Sequence, residues 1–184
     1  MIQIRNGVFE TNSSSSHSLV VKTEGRMVTP EEVAESMYIS RNGAARIYEN
    51  SFGRSPFRIL AEPLDKLSYV LAEYSGTDQF QSILDRFVDY VPGLKKIEFP
   101  SEINWRTEKY EAYYGDIDHQ SAGMLKRAIF EEQRDPLDIV FDSRYVIIVD
   151  GDEYCVFGDM LKSGLIDKSK IKTVYPYPLA EYEE

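Results

Sequence analysis

The sequence predicts an α+β fold: a mixed, mainly antiparallel sheet covered by helices, two of which form an αα-hairpin. Three observations carry this expectation. The run Tyr145-Val146-Ile147-Ile148-Val149 is β-branched and nearly continuous in apolar residues, as suits a central strand buried on both faces. Phe80, Ile83, Leu84, Phe87, Val88 and Val91 recur at intervals of three and four, the period of a helix with one buried stripe. Short apolar runs bounded by turn residues supply further strands on either side. The boundaries expected are a single α+β domain over 1–175 and an acidic tail over 176–184 that frays.

Taken in order, Ile2-Gln3-Ile4-Arg5 alternates with period two, and Asn6-Gly7 turns it toward Val8-Phe9. A polar stretch from Thr11 to Ser18 separates this segment from the strand Leu19-Val20-Val21. Thr29-Pro30-Glu31-Glu32 starts a helix that runs to about Tyr38, with Thr29 as cap, Pro30 at the first position and Glu32 closing a capping box. Residues 40–56 read as loop and irregular structure, and Phe57 to Leu60 as a short strand. Pro63 opens a helix with Leu64, Leu67, Val70, Leu71 and Tyr74 on one face. Gly76 stops it and Thr77 caps the next helix, which ends at Pro92-Gly93. Lys95 to Phe99 reads as a strand, and Trp105 to Tyr114 is rich in aromatic and charged residues. A helix from Ser121 to Arg134 carries Met124, Leu125, Ala128 and Ile129 inward and is broken by Asp135-Pro136. After the central strand, Gly151-Asp152 turns the chain into a partner strand, Glu153 to Phe157. A short helix from Asp159 to Ser163 and a last strand from Ile171 to Tyr175 follow.

Two polar constellations stand out, and each holds one of the two histidines. The first is Phe9-Glu10-Thr11-Asn12-Ser13-Ser14-Ser15-Ser16-His17-Ser18, with apolar runs on both sides that argue for an ordered loop presenting hydroxyls. The second is Tyr113-Tyr114-Gly115-Asp116-Ile117-Asp118-His119-Gln120-Ser121. Histidine is the side chain suited to proton transfer near neutral pH, so His17, His119 and Asp118 are the candidate catalytic residues. Asn12, Ser13, Ser14, Ser15 and Ser16 are the candidate anion-binding residues, since hydroxyls and loop amides can cradle phosphate oxygens. The loop lacks the glycines and lysine of a P-loop.

Two other chemistries use the same residues. His17, His119 and a carboxylate from Glu10, Asp116 or Asp118 would make an open metal set, but no fixed helical spacing supports it and no metal is assigned. A serine activated by His119 would be a nucleophile, though no Gly-x-Ser-x-Gly elbow is present. Against all of these stands a purely structural role, with Asn12 and the serines closing their own turns and Asp118 capping a helix near Gln120.

The net charge is −10, which repels a phosphate backbone and disfavours general nucleic-acid binding. Arg41, Arg46, Arg54 and Arg58 make the most basic segment and the only place to expect an anion patch. The single cysteine, Cys155, rules out an intramolecular disulfide and sits in an apolar context that suits a buried, inert thiol. No apolar run is long enough for a membrane span, no leader is evident, and the cytoplasm is the expected compartment.

The opening stretch from Arg5 to Ser18 and the later Ile117-Asp118-His119-Gln120-Ser121 resemble motifs of a group of small proteins encoded by phages and prophages of Firmicutes. The resemblance covers about a tenth of the chain. It implies a protein acting in the host bacterial cytoplasm during infection and transfers no chemistry to any residue. Acidic phage proteins of this size often resemble inhibitors of host defence, anti-CRISPR proteins among them. The leading expectation is therefore an acidic binding protein that inhibits a basic, nucleic-acid-handling host protein such as a CRISPR effector nuclease. The alternative is an enzyme acting on a nucleotide or phosphorylated substrate through the serine loop and two histidines. No cofactor and no oligomeric state follow from the residues.

Overall fold

A computed structural model describes residues 18–52, 57–104, 106–117, 121–150 and 156–182. In chain order these form β1 (Ser18–Lys22), α1 (Pro30–Glu35), β2 (Ala44–Arg46), β3 (Ser51–Phe52), β4 (Arg58–Leu60), α2 (Pro63–Glu73), α3 (Gln79–Tyr90), β5 (Lys96–Glu98), β6 (Ser101–Asn104), β7 (Lys109–Ala112), β8 (Asp116–Ile117), α4 (Met124–Glu131), α5 (Pro136–Phe141), β9 (Tyr145–Val149), α6 (Val156–Lys162) and β10 (Thr173–Tyr175). The architecture is α+β, as the sequence predicts. No helix among the described residues is long and apolar enough to cross a membrane.

The continuous apolar run at 145–149 becomes β9, flanked on both sides in an antiparallel sheet of order β10–β1–β9–β4. Alternation along the strands sorts its two faces. Val20, Leu60, Tyr145, Ile147, Val149 and Tyr175 point into the larger core, which α2, α3, α4 and α5 complete. Leu19, Val21, Ile148 and Val174 point the other way, onto Phe157 and Leu161 of α6. The C-terminal segment closes that second face. Residues Leu179–Tyr182 form a 3-10 turn, and the Tyr182 ring meets Phe157 edge-on at 5.5 Å, so this part of the expected tail is packed. The remaining pairings are two-stranded: β2–β5 and β3–β8 parallel, β6–β7 antiparallel.

Local chemistry explains most of the elements. Thr29, Pro30 and Glu32 build the expected capping box at α1, which ends at Glu35 rather than Tyr38 because the Ser36 hydroxyl donates back to the Val33 carbonyl. Gly76 takes φ +74 after α2, as a stop residue should. Thr77 does not cap α3. Its hydroxyl donates to the Tyr74 carbonyl at 2.7 Å, closing α2, and Asp78 holds the cap position.

Other expectations are corrected outright. Residues 40–56 are not all irregular: β2 and β3 lie there, each too short to show a period and each paired with a distant strand. Asp135-Pro136 ends one helix but also begins another. The Asp135 carboxylate accepts from the Leu137 amide, Asp138 accepts from the Asp135 amide, and Pro136 takes the first helical position of α5. The helix expected from Ser121 starts at Met124, with Gly123 at its cap in the left-handed region. Val156 and Phe157 do not end a strand beside β9 but open α6, held by the Asp150 carboxylate, which accepts from both of their amides at 3.1 Å. The edges expected to fall to that strand are taken by β1 and β4.

Glu132, at the end of α4, ties that helix to three strands. Its carboxylate accepts from Lys22 of β1, from the Tyr145 hydroxyl of β9 at 2.9 Å and from the Tyr175 hydroxyl of β10 at 2.6 Å. Burial pushes this carboxyl up, but the three donors outweigh it and hold it below the usual carboxylate range. A carboxylate with a lowered folded-state pKa adds stability that is full above its unfolded value and lost as pH falls through the folded one. Urea midpoints of the protein are therefore expected to drop as pH falls below about 4.5, near the unfolded glutamate value. Glu132→Gln is expected to lower the neutral-pH midpoint and flatten that acid limb. An acid limb as steep as that of the unsubstituted protein would remove Glu132 as a contributor.

Candidate functional site

The α2 helix is buried almost all round, so polar side chains on it need an account. Lys66, Tyr69 and Glu73 follow the spacing three and four and so share one face. Lys66 is satisfied. Its ammonium donates to the carbonyls of Ile139, Asp142 and Tyr145 at 2.9, 2.8 and 3.2 Å, at the start of β9. Toward the other end of β9 the stripe meets different company.

Ser18 opens β1 opposite Val149, the last residue of β9, and is buried. The Tyr69 hydroxyl lies beside the Ser18 hydroxyl, without the geometry of a formed hydrogen bond. One turn further on, Glu73 Oε1 accepts from the Gly123 amide at 2.6 Å, and Lys126 Nζ stands 3.6 Å away above the Tyr74 ring. The turn that delivers Gly123 begins at Ser121, whose side chain is also buried. Ser18 Oγ, Tyr69 OH, Glu73 Oε2 and Ser121 Oγ have no hydrogen-bond partner among the described residues. Each such atom costs about 1–3 kcal/mol.

Burial dominates the electrostatics of this cluster. Burial pushes the Tyr69 phenol up, the nearby Ser18 hydroxyl opposes this, and the Glu73 charge adds to it. Burial also raises the Glu73 carboxyl, against the Gly123 amide and Lys126, which favour its ionised form. A carboxyl poised upward can give a proton to, or take one from, a bound group.

The two polar constellations contribute their last residues, Ser18 and Ser121, to this cluster. His17, His119, Asp118, Asn12 and Ser13 to Ser16 lie outside the described residues, as do Glu10, Arg54 and Cys155. Ser18 is the residue after His17, and Ser121 the second after His119. The described end of the first constellation lies beside Tyr69, and that of the second is two residues before Gly123, whose amide donates to Glu73. Asp116, a candidate metal ligand, is engaged elsewhere: it accepts a hydrogen bond from the Tyr113 hydroxyl in the β3–β8 pair. No group of three or more acidic, histidine or cysteine side chains among the described residues is placed to hold a metal ion.

Two members of the expected arginine patch line one pocket, and both are engaged. Arg58 is 2.7 Å from the Glu49 carboxylate, and Arg46 lies over the Tyr48 ring. Reading the sequence missed Tyr69 and Glu73 because they sit among Leu67, Val70 and Leu71 in an apolar helix. The signal that finds them is the polar Lys66–Tyr69–Glu73 stripe in a helix too apolar to have a solvent face. Comparison with family models, curated proteins and solved structures finds no match for this chain.

Proposed function

We propose that the chain is an enzyme acting on a nucleotide or other phosphorylated substrate at the Glu73 end of α2. The observation that supports the proposal is the burial of Ser18 and Ser121, the last residues of the two histidine-bearing constellations, with side-chain oxygens that, like those of Tyr69 and Glu73, lack partners among the described residues. In this reading the buried hydroxyls and Asn12, Ser13, Ser14, Ser15 and Ser16 hold phosphate oxygens. His17 and His119 move the proton, with Asp118 orienting a histidine and Glu73 holding a proton nearby. The test is a panel of nucleotides and phosphomonoesters, followed by calorimetry for binding and by phosphate or nucleotide release for turnover. His17→Ala and His119→Ala are each expected to lower turnover about a hundredfold or more while the protein stays folded. Absence of binding and turnover for every member of the panel would overturn the proposal.

A second reading, the acidic phage-encoded inhibitor of a defence nuclease, is favoured by one surface feature. The β6–β7 ribbon pairs with no other strand among the described residues. It places Glu102 directly opposite Glu111, and Ile103 opposite the exposed Tyr110. Like charges across a ribbon repel and favour a cationic partner. Association with a basic CRISPR effector nuclease that weakens steeply with salt supports this reading, and no association at low salt removes it.

A further inference from the structure

A pocket of about 420 Å³ opens between the end of α1, the β2–β3 segment and the first turns of α2. None of Ser18, Tyr69, Glu73 or Ser121 lines it. Its lining is built in two tiers. Met37, Ile47, Phe52, Leu60 and Leu64 supply apolar surface. Around them stand two tyrosines, Tyr38 and Tyr48, which are 81% and 79% exposed and thus keep nearly all of their ring surface uncovered. The size and the mix of apolar lining with a few polar groups are those of small-molecule sites.

The charges decide what kind of molecule fits. Five ionisable side chains of opposite sign line the pocket. Arg58 is neutralised by Glu49 at 2.7 Å, and Arg46 lies over the Tyr48 ring. Glu62 and Asp65 remain, three residues apart at the start of α2, and neither has an ion-pair partner among the described residues. Both carboxylates are exposed, within reach of a ligand, and the Asp65 carboxyl is pushed up by partial burial and then by the charges of Glu62 and Glu49. A bare metal ion does not answer this: no group of three such side chains among the described residues could hold one. An organic cation does, because its stem covers apolar surface and its head meets both carboxylates, with the Tyr38 ring beside them.

We propose that this pocket binds a small organic cation of the alkylguanidinium or alkylammonium class, its stem on the Met37–Ile47–Leu64 surface and its charged head on Glu62 and Asp65. Tyr38 and Tyr48 flank the entrance.

Titration calorimetry at low ionic strength with agmatine tests the proposal, with pentanol as the uncharged probe and glutarate as the anionic one. Agmatine is expected to bind saturably, and pentanol and glutarate are not. The doubly substituted Glu62→Gln, Asp65→Asn protein is expected to lose binding more than tenfold, with thermal melting to confirm its fold. Tyr38→Ala, at an exposed position where folding is not at stake, is expected to weaken agmatine about fivefold, the value of one cation–π contact. Equal binding of agmatine and pentanol, an unchanged affinity in both variants, or no agmatine binding at all would each overturn it. None of these outcomes bears on the phosphate-directed site, so the two proposals stand or fall separately.

Discussion

Lys66→Met is expected to destabilise the protein by about 3–5 kcal/mol, read as a lower urea midpoint with an unchanged slope. Methionine keeps the apolar stem and removes only the ammonium. That ammonium is the junction of three elements: on α2, it donates to Ile139 and Asp142 at the end of α5 and to Tyr145 at the start of β9. The Asp142 carbonyl also accepts from the Tyr145 amide, so it keeps one partner in the variant. The Ile139 carbonyl, at the open end of a six-residue helix, has no such second donor in the turn that follows, where the Ser143 amide is turned to Arg26. A loss below about 1 kcal/mol would mean water replaces the ammonium, and the junction would be ornamental.

The same residue sets a pH signature. Burial pulls the Lys66 ammonium down to about 8, with the Asp142 and Glu62 charges holding the proton against it. The three carbonyls favour the charged form as well. With the folded value below the unfolded one, the unfolded chain binds more protons between about pH 8 and about 10.4, the ordinary lysine value. Stability contributed by this group therefore rises with pH across that window. Tyr69, Tyr145 and Tyr175 act in the opposite sense at higher pH, since burial raises each of them. The difference between the natural protein and Lys66→Met isolates the lysine term: the gap in their midpoints should change between pH 8 and 10 and be flat from pH 6 to 8.

What the sequence makes legible is governed by where the information for each element resides. The β9 strand, the α3 stripe and the α1 cap are written in neighbouring residues, and each forms as expected. The β2 and β3 strands are three and two residues long and exist because β5 and β8 come alongside. The β3–β8 contact further requires Gly115, at φ +100, to approach the Asn50 carbonyl so closely that a Cβ would lie 2.3 Å from that oxygen. No local period announces such a contact. The candidate site divides in the same way. Its outer parts, Ser18 and Ser121, are the last residues of the two polar constellations, though neither is among the candidate site residues the sequence yields. Its inner parts, Tyr69 and Glu73, are recognisable only once α2 is known to lack a solvent face, because helix periodicity assigns polar residues to the outside by default.

Removing the buried hydroxyls is expected to stabilise the ligand-free protein while destroying its binding. A buried polar atom without a partner carries its desolvation penalty with nothing to offset it, so deleting it recovers that penalty. Tyr69→Phe keeps the ring, including its contact with Phe52 at 4.9 Å, and loses only the oxygen. Its stability should rise by about 1 kcal/mol. The triple variant Ser18→Ala, Tyr69→Phe, Ser121→Ala should gain about 1–3 kcal/mol, short of additivity because Ser18 and Tyr69 are neighbours. The same variant should lose the rise in melting temperature that a bound nucleotide or phosphomonoester gives the natural protein, since ligands stabilise only the state that binds them. The two readouts separate site from scaffold. Hydroxyls that serve the fold lower stability when removed, and a destabilisation beyond about 1 kcal/mol in Tyr69→Phe would assign them that role. Hydroxyls kept at a cost to the fold behave in the opposite way, because selection retains such a cost where the atoms are needed for binding.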